Sequence, residues 1–158
     1  MYMARLEEFD ARPGDFPVSG YFWNKIRDVH TPRQFVCTMS LIFENSNLDH
    51  TVEYARAARK HGHDRLAATI DRIHDDEARH VSFGWKWLER FKDPEESMWE
   101  AFRSSLTWPL RPGLARGEVF HAEGRIAAGL EPEFIRLLAE SKPGRAPEDE
   151  IPDSELDR

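Results

Sequence analysis

The sequence has very little cysteine and no long apolar segment. Cys37 is the only cysteine among 158 residues, so no disulfide can form within one chain and nothing points to an oxidising compartment. No apolar run approaches the roughly 20 residues that a membrane-spanning helix needs. The first residues, Met1 to Glu8, carry charges where a signal peptide requires an apolar core. These absences predict a soluble, cytoplasmic protein.

Signals for β-strands are also scarce. β-branched residues are few, and the alternation of apolar and polar residues that marks a strand never persists. Hydrophobic residues make up 40% of the chain and charged residues 32%, which is typical of one globular domain of this length. The formal net charge of −7 disfavours a polyanion such as nucleic acid as a partner. The composition therefore predicts a single, acidic, all-α domain.

Proline marks the start of the first long helix. Thr31 followed by Pro32 combines a capping residue with a proline at the first helical position. The helix that begins there is predicted to break near residues 45–47, where Asn, Ser and Asn follow one another, and then to continue to Lys60.

Two further long helices are predicted from similar signals. Gly62 closes the first long helix, and Asp64 is predicted to cap the next one, which reaches Phe91. Asp93-Pro94 repeats the cap-plus-proline pattern and predicts a helix to about Thr107. The short gap at Gly62 makes the first two long helices antiparallel neighbours.

Shorter helices complete a predicted helical domain that spans residues 1–140. The last residues, 141–158, are rich in proline, aspartate and glutamate, and are predicted to form a disordered acidic tail. The predicted short helices cover residues 1–9, 21–29, 122–128 and 132–140.

The helix from Asp64 to Phe91 carries two polar residues in the middle of its apolar stripe. Glu77 and His80 follow the stripe in helical steps of three and four residues. A buried charge is costly unless it is paired or bound to a metal. Because the two residues are three apart on a helix, both can reach one ion. The other members of the stripe are Leu66, Ile70, Ile73, Gly84, Leu88 and Phe91.

The preceding helix shows the same anomaly at Glu44. This residue interrupts a stripe that also contains Cys37, Leu41 and Leu48. Glu44 precedes Gly62 by 18 residues and Glu77 follows it by 15. These separations correspond to about 27 Å and about 22 Å of helix, so the two carboxylates are predicted to lie near one level of an antiparallel pair. Glu44, Glu77 and His80 are therefore the predicted metal ligands.

A buried salt-bridge network is the competing interpretation. A Glu-x-x-His pattern alone occurs often by chance. In a network without metal, Glu44 or Glu77 pairs with His80 or with Arg79. The inward position of both glutamates favours the metal site.

Three neighbouring residues have secondary interpretations. Asp76 either accepts the free N–H of a ligating histidine or remains a surface carboxylate. Asp75 and Arg79 are four residues apart and are predicted to form a surface ion pair. His74 lies one turn before Glu77 and either lines the site or touches it.

Several further motifs extend from the N-terminal part of the chain to its last short helices. They are Gly14-Asp15-Phe16-Pro17-Val18 with Trp23, Phe43-Glu44, Leu48-Asp49, Asp76-Glu77-Ala78-Arg79-His80 with Phe83-Gly84 and Trp87, and Arg125-Ile126-Ala127-Ala128-Gly129. These motifs resemble those of the ferritin-like superfamily and, more narrowly, of its uncharacterised DUF455 family.

The resemblance implies a four-helix bundle that holds two metal ions, usually iron and sometimes manganese. Such bundles take one glutamate from each of two helices and a Glu-x-x-His pair from each of the other two. Glu44, Glu77 and His80 match one half of this ligand set. The matching first half is expected in two helices before Met1, which makes the chain a fragment, one half of a homodimer or a partner of a second chain.

The resemblance also implies a function. The leading expectation is a diiron oxidoreductase that activates oxygen, acting on an unidentified substrate. The alternatives are a protein that handles iron without turning over a substrate, and a non-catalytic helical scaffold with an incomplete metal site. Whether the chain is an enzyme is left open by the residues themselves.

Overall fold

The computed structural model of this protein describes residues 2–144, apart from the side chain of Tyr21. Every regular element in that range is helical, so the predicted all-α fold is confirmed. None of these helices is long and apolar enough to cross a membrane. The predicted acidic tail lies, from residue 145 onward, outside the described residues.

Eight α-helices, one π-helical segment and one 3-10 turn make up the described fold. The two long helices, α4 and α5, pack against each other as an antiparallel pair, and the C-terminal helices cover one side of that pair. The elements are α1 (Tyr2–Glu8), α2 (Tyr21–Ile26), α3 (Pro32–Thr38), the π segment (Met39–Glu44), α4 (Asn45–Lys60), α5 (Asp64–Phe91), α6 (Met98–Ser104), the 3-10 turn (Pro112–Ala115), α7 (Ala122–Ala127) and α8 (Pro132–Glu140).

The first long helix begins as predicted but continues through the expected break. The side chain of Thr31 accepts a hydrogen bond from the Gln34 backbone N–H at 3.1 Å, which caps α3. The predicted interruption at residues 45–47 is wrong, because Asn45 and Ser46 bond to carbonyls of their own helix. Asn45 Nδ2 lies 3.4 Å from the Leu41 oxygen, and Ser46 Oγ donates to Phe43 at 2.7 Å. The irregularity falls earlier, in the π segment.

The turn between α4 and α5 depends on a left-handed glycine. Gly62 has a φ of 76°, which a residue with a side chain adopts only with strain. The helical cap lies one residue earlier than predicted: His63 is the N-cap, and Asp64 is the first helical residue. At that position the Asp64 carboxylate still interacts favourably with the N-terminal end of the helix dipole.

The third predicted long helix begins later than the sequence indicated. Asp93-Pro94 lies in a turn, and α6 starts at Met98. The start is set by a capping box, in which Ser97 Oγ accepts from the Glu100 N–H at 3.2 Å and Glu100 accepts from the Ser97 N–H at 2.9 Å. Because two reciprocal bonds satisfy the helix end here, they outweigh the earlier cap-plus-proline signal.

Aromatic side chains join α5, α6 and α8. Phe134 of α8 is buried, and its ring centroid lies 4.9 Å from that of Trp85 and 5.3 Å from those of Trp99 and Phe102. The ring contacts with Trp85 and Trp99 are edge-to-face, the arrangement that the ring quadrupoles favour. This cluster fixes the C-terminal helices against α5.

A buried ion pair joins α4 to the segment that contains α7. Asp49 and Arg125 are both fully buried, and two hydrogen bonds of 2.7 and 3.0 Å link them. The Asp49 carboxylate also accepts from the backbone N–H groups of Gly117 and His121, both at 2.8 Å. The guanidinium donates to the Asn45 carbonyl at 3.1 Å. The pairing of the two charges, together with these backbone hydrogen bonds, is what makes their burial tolerable.

We predict that Arg125→Met lowers the free energy of unfolding by roughly 3–5 kcal/mol, because it leaves the Asp49 carboxylate buried and unpaired. The free energy of unfolding of Arg125→Lys should lie between those of the wild type and Arg125→Met, since lysine keeps the charge but loses most of the donors. Arg136→Met is the matched control, because Arg136 pairs with Glu133 and Glu140 on the surface. Denaturant titration gives the values. A loss for Arg125→Met no larger than that of the control contradicts the prediction.

Candidate metal centre

The three predicted ligands converge between α4 and α5. Ligand atoms of Glu44, Glu77 and His80 all lie within 4.8 Å of one another. His80 Nδ1 is 3.3 Å from Glu77 Oε2 and 3.7 Å from Glu44 Oε1. The side chains of Glu77 and Glu44 are 13% and 22% exposed, whereas His80 is 55% exposed. The carboxylates therefore form the floor of the cluster, and the imidazole lies on its open side.

The Glu44 carboxylate has one buried oxygen. This oxygen, Oε2, has no hydrogen-bond partner among the described residues. Burial raises the pKa of Glu44, against smaller opposing effects from hydrogen bonding by Ser40 and from the charge of His80. A buried carboxylate oxygen without a partner is costly, and a cation would relieve that cost. The donor set of two carboxylates and one imidazole thus fits a metal ion.

The π segment determines where Glu44 points. It spans Met39 to Glu44, so this ligand is its last residue. A π turn accommodates one more residue than an α turn, which shifts the register of the residues that follow. Short π segments of this kind are often found at functional sites. Apolar spacing along the sequence did not reveal it, because Cys37 before it, Leu41 inside it and Leu48 after it are all buried.

A close contact between Gly84 and Ser40 brings α5 against the π segment. A Cβ on Gly84 would lie 2.2 Å from Ser40 Cβ and 2.8 Å from Ser40 Oγ. Only a residue without a side chain permits this approach. Ser40 precedes Glu44 by four residues, so the contact lies one helical turn from the ligand.

Asn47 was missed by the sequence analysis. Its side-chain Nδ2 donates to Glu77 Oε1 at 3.1 Å, across the interface between α4 and α5. The spacing of three residues from Glu44 was a usable signal, because it places Asn47 on the same face of the helix. The run of Asn, Ser and Asn at residues 45–47 instead predicts a helix break there.

The neighbouring residues with secondary interpretations lie outside the cluster. Asp76 accepts from Arg79 at 2.6 Å on the surface, so the ion pair predicted between Asp75 and Arg79 is wrong in its acidic partner. Asp76 therefore has a surface role rather than a role in orienting His80. His74 lies 2.8 Å from Thr51 through its Nδ1 and lines the helix interface one turn away from the ligands.

The predicted inward stripe of α5 is only partly buried. Its first half is half-exposed in Leu66, Ile70 and Ile73, whereas Gly84 and Leu88 of its second half are buried as predicted. The other buried residues of α5 are Ala67, Val81 and Trp85. Glu77 and His80 therefore lie at the edge of the packed interface, where an ion is accessible, rather than in the centre of a closed core.

An apolar groove lies between α4 and α5 near the turn that joins them. It is lined by residues of both helices, among them Tyr54, Ala58, Leu66 and Ile70. Tyr54 is one of the most exposed large side chains of α4. The groove is separate from the three candidate ligands, none of which lines it.

These features define an all-helical protein with a candidate carboxylate–histidine metal cluster. A model for the family described as protein of unknown function DUF455 matches residues 1–136. The chain belongs to the DUF455 family, as its motifs predicted. Neither a curated protein nor a solved structure matches it.

We predict that Gly84→Ala lowers the free energy of unfolding by about 1–3 kcal/mol, because the added methyl group overlaps Ser40. Adding Ser40→Gly removes the overlapping atoms and should restore part of the loss. Gly20→Ala is the control, since a Cβ there meets only one atom, at an ordinary 3.7 Å. Denaturant titration measures all four proteins. Equal stability of Gly84→Ala and wild type contradicts the close contact.

Proposed function

We propose that this protein is a ferritin-like dimetal carboxylate protein, with iron as the expected metal and manganese as a second candidate. The observation that carries the proposal is the convergence of Glu44, Glu77 and His80, whose ligand atoms lie within 4.8 Å of one another. The Glu44 carboxylate in this cluster also has one buried oxygen without a hydrogen-bond partner among the described residues. Paired carboxylates with an added imidazole suit these ions.

In this proposal each ligand has its own task. Glu44 and Glu77 supply negative charge and oxygen donors from two different helices, so the packing of α4 on α5 sets the distance between them. His80 supplies a nitrogen donor through Nδ1, the ring atom that faces both carboxylates. A bound pair of iron ions would supply the electrons for oxygen activation in an oxidoreductase of unidentified substrate.

The centre requires further ligands. Bundles that hold two metals use four carboxylates and two imidazoles, twice the set that this cluster provides. We propose that a second copy of the chain, or another chain, brings the remaining donors to the open side where His80 is exposed. The half-exposed apolar residues that precede the cluster on α5, Leu66, Ile70 and Ile73, fit an interface along that helix.

A non-catalytic scaffold is the second candidate, and one observation favours it. His80 already lies 3.3 Å from Glu77 and 3.7 Å from Glu44, so a protonated imidazole pairs with both carboxylates without any metal. In that case the cluster serves only to join α4 to α5.

Metal binding separates the two candidates. We predict that the wild-type protein binds ferrous iron. Glu77→Gln keeps the shape of the side chain but removes its charge. It should weaken binding by more than the roughly 10–100-fold loss that is typical when a hydrogen-bond partner of a metal ligand is removed. Asp76→Asn is the matched control, because its carboxylate lies on the surface with Arg79. Competition with a chelator and elemental analysis give the affinities. Wild-type protein without metal, or Glu77→Gln with unchanged affinity, refutes the metal proposal.

Two further measurements address assembly and activity. We expect the molar mass in solution to rise on adding ferrous iron, with about one metal ion per chain, if each copy contributes half of the ligand set. A mass that stays at one chain in the metal-loaded protein excludes the second copy as the source of ligands. Oxygen consumption that depends on His80 then distinguishes an oxygen-activating protein from a scaffold.

A further inference from the structure

Asn47 is the polar side chain from α4 that meets a predicted ligand on α5. It lies three residues after Glu44, the last residue of the π segment, so the two side chains leave this continuous helical stretch on the same face. Its amide nitrogen donates to Glu77 Oε1 at 3.1 Å. The residue is half-buried, so water competes for this hydrogen bond less than it would at the surface.

The two oxygens of Glu77 have different partners. Oε1 accepts from Asn47, whereas Oε2 lies 3.3 Å from His80 Nδ1 and so belongs to the ligand cluster. A carboxylate can otherwise rotate freely about its last bond, because that torsion has only broad preferences. Holding one oxygen from α4 therefore keeps the other directed at the place where a cation would sit.

The backbone carbonyl of Asn47 also accepts a hydrogen bond from a side chain. The Thr51 hydroxyl donates to the Asn47 carbonyl at 2.5 Å and lies 2.8 Å from His74 Nδ1. A hydroxyl has one proton to donate, so the Thr51 oxygen accepts the second bond, and His74 Nδ1 carries a proton. A continuous polar chain thus runs from His74 on α5 through Thr51 to the backbone of Asn47, and from its amide back to Glu77.

The chemistry of the amide suits this position. A lysine or arginine at residue 47 would also hold Glu77, but its charge would repel a cation. An aspartate would present an acceptor to an acceptor and would compete as a ligand. Asparagine donates a hydrogen bond without adding charge, so the negative charge of Glu77 remains available to the metal.

We propose that Asn47 is a positioning residue for the metal centre, acting through Glu77. This inference rests on the proposed function, because it assigns a role only if Glu77 binds a metal. The residue touches no cation; it restricts the orientation of a ligand. Outer partners of metal ligands typically change affinity by about 10–100-fold when they are removed.

The test uses the full chain and cobalt(II) as a spectroscopic probe. In Asn47→Leu the side chain keeps a similar volume but donates no hydrogen bond. We expect its dissociation constant for cobalt(II) to rise by about 10–100-fold and the visible absorption of the bound cobalt to change, because the Glu77 ligand reorients. Ser46→Ala is the matched control on the neighbouring residue, since its hydroxyl bonds only to Phe43 of its own helix, at 2.7 Å.

A loss of fold is distinguished from a loss of positioning by a second variant. Asn47→Ser is small and polar but too short to reach Glu77, so it carries the test if Asn47→Leu lowers the melting temperature of the metal-free protein. In either variant, an unchanged melting temperature together with weaker binding and an altered cobalt spectrum supports the proposal.

Two results overturn the proposal in different ways. If a folded Asn47 variant binds cobalt(II) within twofold of wild type with the same spectrum, while Glu77→Gln does not bind it, Asn47 has no positioning role and the metal centre stands. If the wild type binds no cobalt(II), or Glu77→Gln binds it equally well, the proposed function fails and the role of Asn47 fails with it.

Discussion

The buried ion pair between Asp49 and Arg125 constrains the part of α4 that carries the candidate site. Neither charge reaches water, so each must be satisfied by its partner and by backbone groups. One donor of Arg125 binds the carbonyl of Asn45, the residue directly after Glu44. The C-terminal segment therefore fixes the chain at the junction of the π segment and α4. Glu44 is the last residue of the π segment, so its position is fixed as well. Phe120 covers the guanidinium at 4.1 Å from its ring centroid and keeps water away.

Local signals predicted the ends of several helices but not the shape inside the longest one. Thr31 and Gly62 determine the local structure at their own positions. Thr31 does so through one hydrogen bond, and Gly62 through one left-handed backbone angle. The π segment has no comparable local signal, because it depends on how α5 packs against it at Gly84. The sequence contains the capping box at Ser97, but Asp93-Pro94, which comes earlier in the chain, is an equally plausible start for the helix.

The candidate ligands were predictable because a charge within an apolar stripe needs an explanation. That reasoning placed Glu77 and His80 correctly relative to Glu44, and their ligand atoms lie close together. It placed only the second half of the stripe correctly, since Gly84 and Leu88 are buried whereas Ile73 is half-exposed. Periodicity identifies a face but not which part of that face a neighbouring helix covers. Asn47 was not singled out for another reason: its spacing from Glu44 was a signal, but the run Asn45-Ser46-Asn47 indicated a helix break instead.

Position at the edge of the helix pair reconciles two needs of such a site. A carboxylate in a closed core would be protonated or paired, whereas one on the open surface would hold a cation weakly. Glu44 lies close to the first case, since burial raises its pKa, and His80 lies close to the second. Glu77 is the least exposed of the three at 13%, with one oxygen accepting from Asn47 and the other 3.3 Å from His80 Nδ1. The two buried carboxylates and the exposed imidazole leave one accessible side, which is the arrangement that an ion requires if further ligands are to approach it from outside the chain's own helices.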